Sequence, residues 1–269
     1  MKLSQKEKDR LKKKYGEWAL VTGASSGIGK ELAYRVAEAG LHLIITGRHE
    51  DKLTAIRQEI QSLYGVNVEM VVADLADQGI EQVWQAAQQK PIGLLIASAG
   101  FGTSGAFLNT SIHAEVNMLQ VNCLALLQLT HHFAQKFAAQ KKGGIILMSS
   151  IVSFQGVPFA ANYAACKAYV QTLAEALYHE LKPYNVDVLS AAPGPVQTGF
   201  SERANMVMDN TLTPDQIGVP ILKALGRKAT VLPGFLSKLL VYSLGTVPRW
   251  GKIRIMKGVM GGMTKHQRA

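Results

Sequence analysis

Seven short runs of aliphatic and β-branched residues recur along the chain, separated by stretches long enough for helices, and this alternation constrains the fold more than any other feature. The runs are Trp18–Thr22, Leu41–Thr46, Asn67–Val72, Gly93–Ala97, Gly144–Ser149, Val186–Ala191 and Thr230–Leu232; Gly27–Ala39 and Ala160–Lys182 are two of the helical stretches. Several runs are apolar nearly throughout, the pattern of strands covered on both faces. Strand, helix and strand repeated in this way build a parallel sheet flanked by helices. The chain is expected to form one doubly wound α/β domain with a seven-stranded parallel sheet. Its 269 residues, 48% of them hydrophobic, supply a large core, and no Pro/Gly/Ser-rich linker or low-complexity segment divides them.

The net charge of +10 is concentrated at the ends. Residues 1–14 carry seven basic and two acidic side chains, residues 216–269 carry ten basic and none acidic, and the stretch between has a net charge of −5. Residues 1–14 are read as a basic arm ahead of a domain at 15–269. Such ends suit acidic lipid headgroups, a phosphorylated substrate, or plain solvation as charged tails. Nucleic acid is disfavoured, since neither end has aromatic-spaced basic repeats, a helix-turn-helix or a zinc pattern. The first residues lack the apolar run of a secretory signal, and no stretch approaches the roughly 18 uninterrupted apolar residues of a membrane span. Cys123 and Cys166 fall in helical stretches without CxxC or Cys/His spacing, so neither a disulfide framework nor a metal site is expected. The expected setting is the cytoplasm, with peripheral membrane contact through the basic termini as an open alternative.

Val21-Thr22-Gly23-Ala24-Ser25-Ser26-Gly27-Ile28-Gly29-Lys30 leaves the first strand and enters a helix. Three glycines so closely spaced exclude side chains where something must come near. Gly23 permits a sharp turn, Gly27 lets the backbone approach a ligand, and Gly29 lets the new helix sit tightly on its strand. The helix N-terminus then turns unpaired N–H groups and its positive dipole end toward the gap, which suits a pyrophosphate. A tight turn without a ligand is the competing reading of the glycines alone.

These residues match TGxxxGxG, and on this motif the chain resembles the short-chain dehydrogenase/reductase family from about Trp18 to Phe200. The resemblance implies a Rossmann-type sheet that holds a nicotinamide dinucleotide against Gly23, Ser25, Ser26, Gly27, Ile28 and Gly29. It also implies that Asp74 and Leu75 hold the adenine and that Ala99 and Gly100 give a close backbone approach. The family's two asparagines are absent from Ala97-Ser98-Ala99-Gly100, so a stabilising contact is expected to be missing there. The second strand ends Ile45-Thr46-Gly47-Arg48-His49. Enzymes that choose NAD tend to place an acid there for the ribose 2′-OH, whereas an arginine accommodates the 2′-phosphate of NADP. Arg48 takes that place, can grip phosphate in two-pronged fashion, and points to NADP(H) over NAD(H).

Ser150 closes the fifth strand, and Tyr163-Ala164-Ala165-Cys166-Lys167 follows in a helical stretch where positions i and i+4 share a face. A phenol with a pKa near 10 exchanges protons poorly at neutral pH, and each unit of lowering needs about 1.4 kcal/mol of preferential phenolate stabilisation. The Lys167 ammonium is expected to supply it by charge attraction. Hydride arriving at a carbonyl carbon builds negative charge on oxygen; Tyr163 is expected to protonate that oxygen and Ser150 to hold it. By the resemblance, Tyr163 and Lys167 also meet the cofactor, Lys167 at the nicotinamide ribose. Asn122 in Val121-Asn122-Cys123 matches the family's fourth catalytic residue, which holds a water in the proton relay. Pro193-Gly194-Pro195-Val196-Gln197-Thr198 matches PGxVxT, and its prolines take the chain out of the sheet at the carboxyl edge. The resemblance places Pro193, Gly194, Val196 and Thr198 against the carboxamide and phosphates.

Loops over that edge form the crevice of such a sheet. Here they are Phe101–Thr110, Phe154–Phe159 and a substrate loop at about 199–213. Phe101, Phe107, Phe154, Val157, Phe159, Phe200 and Met206 dominate them with almost no charge, which suggests a small lipophilic carbonyl or alcohol as substrate. A basic, apolar extension at about 235–269 follows, with Phe235–Leu244 and Pro248-Arg249-Trp250-Gly251-Lys252-Ile253-Arg254. A lipid interface, a cover over the crevice and a subunit contact all fit it. With Tyr15-Gly16-Glu17-Trp18-Ala19, the tail is similar to the branch containing very-long-chain 3-ketoacyl-CoA reductases and 17β-hydroxysteroid dehydrogenases. The expected function is NADP(H)-dependent interconversion of a lipophilic ketone or aldehyde and its alcohol, in a homodimer or homotetramer as the resemblance implies. The alternative is a dinucleotide-binding, membrane-surface or redox-sensing protein without turnover.

Overall fold

The structure is a computed structural model that describes residues 1–209 and 211–267. Asn210 in the expected substrate loop, and Arg268 and Ala269 at the end of the expected extension, lie outside the described residues. All seven expected strands form, each within one residue of its expected ends. They are β1 (Trp18–Thr22), β2 (His42–Gly47), β3 (Val68–Val72), β4 (Ile92–Ala97), β5 (Gly143–Met148), β6 (Val186–Ala191) and β7 (Thr230–Val231). Every pairing is parallel, in the order β3-β2-β1-β4-β5-β6-β7. The chain reverses direction across the sheet between β1 and β4, and this switch point leaves a crevice at the carboxyl ends of the strands.

The helices are α1 (Gln5–Tyr15), α2 (Gly27–Glu38), α3 (Glu50–Tyr64), α4 (Gly79–Gln88), α5 (Ile112–Leu119), α6 (Leu126–Gln140), α7 (Ala161–Glu180), α8 (Phe200–Arg203), α9 (Pro214–Ala224), α10 (Phe235–Gly245) and α11 (Arg249–Met263). Local chemistry sets several ends. Acidic Glu50 and Asp51 meet the positive end of α3, and Gly65 closes that helix in a left-handed conformation. Thr213 and Gln216 bond each other's backbone to start α9, with Pro214 in its first turn.

Buried side chains of α2, α3 and α9 cover one face of the sheet, and those of α4, α6 and α7 cover the other. A smaller apolar cluster above the carboxyl edge joins Phe101, Met118, Tyr163, Cys166, Met256 and Met260. The basic N-terminal segment is not a solvated tail: it forms α1 and docks on the domain. Leu3, Leu11 and Tyr15 are buried, while Arg10 donates to the carbonyls of Leu222 (2.7 Å) and Leu225 (2.9 Å). Lys8, Arg10 and Lys14 pair with Glu38, Glu7 and Asp187 at 3.1, 2.8 and 2.6 Å. The Tyr15 hydroxyl donates to the same Asp187 (2.7 Å), and a Cβ on Gly144 would stand 2.7 Å from its ring, so Tyr15 lies at the amino edge of the sheet.

Candidate active site

The β1–α2 turn is closed by steric necessity. Gly23 and Gly27 have φ of +66° and +56°, a region strained for any residue with a Cβ. A Cβ on Gly23 would stand 2.7 Å from Ala99 Cα, and one on Gly27 would stand 2.9 Å from Thr198 Cγ2. The turn is therefore wedged between the exits of β4 and β6, and Gly27 makes room for Thr198. The exit of β4 is tied down without the two asparagines: the Thr22 hydroxyl accepts the N–H groups of Ser98 (3.1 Å) and Ala99 (3.0 Å).

Asn122 sits in a π-helical stretch, Gln120–Ala125, that interrupts the run from α5 to α6. Its side chain is buried and bonds both backbone groups of one residue: Oδ1 accepts from Phe101 N (3.0 Å) and Nδ2 donates to Phe101 O (2.7 Å). The amide thereby clamps the turn at Gly100, where a Cβ would meet Asn122 Oδ1 at 3.0 Å and Lys167 Nζ at 3.5 Å.

Strand β5 stops at Met148, two residues short of Ser150, which caps the following 3₁₀ turn and accepts from Val152 N at 3.4 Å. On α7, Tyr163 and Lys167 share a face as their spacing requires, and both are buried. Lys167 Nζ donates to Met148 O (2.8 Å) and lies 5.8 Å from the centre of the Tyr163 ring. Burial pushes the Tyr163 phenol well above its ordinary value, and a hydrogen bond with Ser150 pulls the other way without overcoming it. The expectation of a lowered phenol is thus not met: desolvation wins. Lys167 itself is pushed down to about 8, again chiefly by burial.

A cavity of about 660 Å³ gathers these groups. Ser150, Tyr163 and Lys167 line it, as do Gly23, Ser25, Ser26, Gly27, Ile28 and Gly29 of the first turn. Arg48, Asp74 and Leu75 line it from the ends of β2 and β3, Ala99 and Gly100 from the exit of β4, and Pro193, Gly194, Val196 and Thr198 from the exit of β6. Asn122 is not among the lining residues. The Gly194 N–H, expected to face the carboxamide, donates to Ser237 Oγ of α10 at 3.2 Å.

The wall has features that suit a phosphorylated dinucleotide. Ser26 makes no side-chain cap on α2, leaving that helix N-terminus open to an anion, and the buried Thr46 hydroxyl on the wall has no hydrogen-bond partner. Arg48 stands 4.0 Å from Asp74 with both groups about half exposed, a weak pair that leaves the guanidinium available. Among the described residues no group of three or more His, Cys, Asp or Glu gathers in a way that could hold a metal ion.

Of the side chains expected to meet a substrate, Phe101, Phe200 and Met206 line the cavity. Phe107 is exposed, and Val157 belongs to the small apolar cluster, with Phe159 against it. Their place is taken by Leu240 and Leu244 of α10 and by Ile255, Met256, Met260 and Met263 of α11. The repeat of Met256, Met260 and Met263 is a helical stripe that points to one face, a signal present in the sequence. Arg203 of α8 also lines the cavity, its guanidinium 3.6 Å from the centre of the Phe101 ring. Burial and then the nearby Arg48 push the Arg203 pKa down, with Asp74 opposing.

Residues 17–208 match the family described as short chain dehydrogenase. The 7beta-hydroxysteroid dehydrogenase of Collinsella aerofaciens is 31% identical over 238 residues, which cover 83% of this chain and 88% of that protein. The very-long-chain 3-oxoacyl-CoA reductase of Coccidioides immitis is 31% identical over 261 residues, covering 93% and 72%. The solved short-chain dehydrogenase from Sphingobium yanoikuyae in complex with NADPH superposes with a TM-score of 0.77 at 26% identity, over 85% of this chain and 93% of that one.

Proposed function

The chain belongs to the short-chain dehydrogenase family of oxidoreductases, and from that premise we propose that it uses NADP(H) in preference to NAD(H) to interconvert a lipophilic ketone or aldehyde and its alcohol. One observation carries this reading: a single cavity joins the phosphate-suited turn of α2 to Ser150, Tyr163 and Lys167 beneath an apolar roof. When bound, the nicotinamide ring supplies or accepts the hydride. Tyr163 Oη gives a proton to the carbonyl oxygen as charge develops there, and takes it back in the oxidative direction. The Ser150 hydroxyl holds the same oxygen. Burial keeps the phenol protonated at neutral pH, which suits a donor. Lys167, charged below about 8, then makes the departure of that proton less costly. Phe200 lies with its ring 5.2 Å from that of Tyr163 and shields the phenol from water, so these charges act in a low dielectric.

Arg48 supports the choice of NADP(H), because it stands on the cavity wall where a carboxylate would serve NAD. A lipophilic substrate is supported by the roof and by relatives named for a hydroxysteroid and a very-long-chain acyl thioester. A homodimer or homotetramer is part of the same reading. Ile112, Val116 and Leu119 of α5, Leu127 of α6 and Tyr169 of α7 are all exposed, an apolar surface that a second copy would cover. A reducing, cytoplasmic setting is supported by Cys123 and Cys166, both free thiols. The test is NADPH consumption against a panel running from small aldehydes to steroids and acyl thioesters. Turnover confined to lipophilic members is expected, and no turnover with any of them would refute the reading.

A further inference from the structure

Helices α10 and α11 roof the cavity with one side and leave the other uncovered. Ser237 is the one buried residue of α10, and its bond to Gly194 N pins the helix to the loop after β6. Phe235 is 80% exposed, Tyr242 70% and Trp250, at the start of α11, 71%; Leu236 and Leu239 are exposed as well. A soluble surface rarely gathers so many large apolar side chains without a partner. Lys238 of α10, Arg249, Lys252, Arg254 and Lys257 of α11 and Lys265 just after it supply the charge of this stretch, and residues 216–269 contain no aspartate or glutamate.

The charge decides what covers this face. Two-fold self-pairing sets a patch against itself, so a second copy would bring cations against cations without a single counter-charge from this stretch. The α5–α6 face has the opposite character, since residues 112–135 contain no lysine or arginine. An acidic, apolar partner is required, and tryptophan, tyrosine and cations mixed along short apolar helices are what the headgroup region of a membrane accepts. No described helix is long and apolar enough to cross a membrane. The eleven residues of α10 span about 16 Å, a length suited to lying in the interface plane.

We propose that α10 and α11 seat the protein on an anionic bilayer, with Phe235, Tyr242 and Trp250 among the headgroups and the neighbouring lysines and arginines on anionic lipid. The last turn of α1 does not share this surface: Tyr15 lies at the amino edge of the sheet, whereas Gly194 holds α10 at the carboxyl edge. One consequence rests on the catalytic reading above. Leu240, Leu244 and Ile255, which line the cavity, belong to the docked helices, so a lipophilic substrate passes from bilayer to cavity without crossing water.

Flotation of the full chain with vesicles reads the docking alone, so its failure leaves the catalytic reading standing. The protein should float with equimolar phosphatidylglycerol and phosphatidylcholine, sink with phosphatidylcholine alone, and detach as salt rises. Each cation at an anionic leaflet is worth about fivefold in partition, so K238E/K257E should weaken binding by more than about tenfold. K6E/K13E on α1 should float like the wild type. Emission from Trp250 should shift to the blue on binding, a shift that W250F abolishes. Equal flotation of K238E/K257E and wild type, or loss confined to K6E/K13E, would overturn the proposal. A change of oligomeric mass in F235S/W250S without vesicles would assign the face to a subunit contact and overturn it equally.

Discussion

Lys167→Met should change how stability depends on pH, because burial in the candidate site disfavours the Lys167 ammonium. The folded chain holds this lysine at about 8 against an ordinary value of 10.5. Below pH 8 both states carry the proton, and the folded state bears the whole cost of burying it. Between pH 8 and 10.5 the folded state has released the proton while the unfolded state still holds it, so stability rises with pH across that window. A gap of this size corresponds to about 3 kcal/mol. Methionine fills nearly the same volume with no charge and loses the bond to Met148 O, which adds an offset roughly independent of pH. Urea unfolding of both proteins from pH 7 to pH 10.5 reads the effect, since titrating groups remote from Lys167 cancel in the difference. Wild type should gain about 3 kcal/mol relative to Lys167→Met across the window. A difference that stays flat would mean that Lys167 titrates at its ordinary value, and the idea of a lysine poised near neutrality would fail.

Three other outcomes follow from the geometry. Arg48→Ala should weaken NADPH binding by about 10- to 100-fold, the worth of a charged phosphate contact, and leave NADH binding unchanged; equal losses for both, measured by fluorescence titration, would remove the 2′-phosphate from Arg48. Leu11→Ala should cost about 2–5 kcal/mol and lower the melting temperature by several degrees, whereas a free basic arm would leave the melt unmoved. Gly27→Ala should lose about 1–2 kcal/mol from its positive φ alone, and more from contact with Thr198; an unchanged melt would contradict the left-handed turn.

The sheet was legible because the inner parts of β1, β2, β4 and β5 are buried on both faces and run apolar, and even the short β7 stood out beside turn residues. Tyr163 and Lys167 were legible through their i, i+4 spacing, and Arg48 through its place at the end of β2. The docking of the N-terminal segment was hidden by charge: Leu3, Leu11 and Tyr15 lie at spacings of eight and four, a buried stripe that the seven cations of residues 1–14 obscured. The roof of the cavity was named only as one of three roles for the tail, because α10 and α11 use one side for the cavity and expose the other, which blurs any single amphipathic pattern. Charge attraction on the Tyr163 phenol can be counted from neighbours in sequence, but desolvation depends on Phe200 and Gly102 closing over it, and only the fold brings them there. The engagement of Asn122 with Phe101 belongs to the same class, since a π-helical turn leaves no mark in residue types.

In the proposed reaction the Tyr163 hydroxyl moves the proton while the cavity holds the cofactor beside it. Single-turnover NADPH oxidation by Tyr163→Phe, with a carbonyl that the wild type reduces, tests this most directly. NADPH affinity should be unchanged and hydride transfer slowed by about 10²–10⁴-fold. Transfer at the wild-type rate would contradict it.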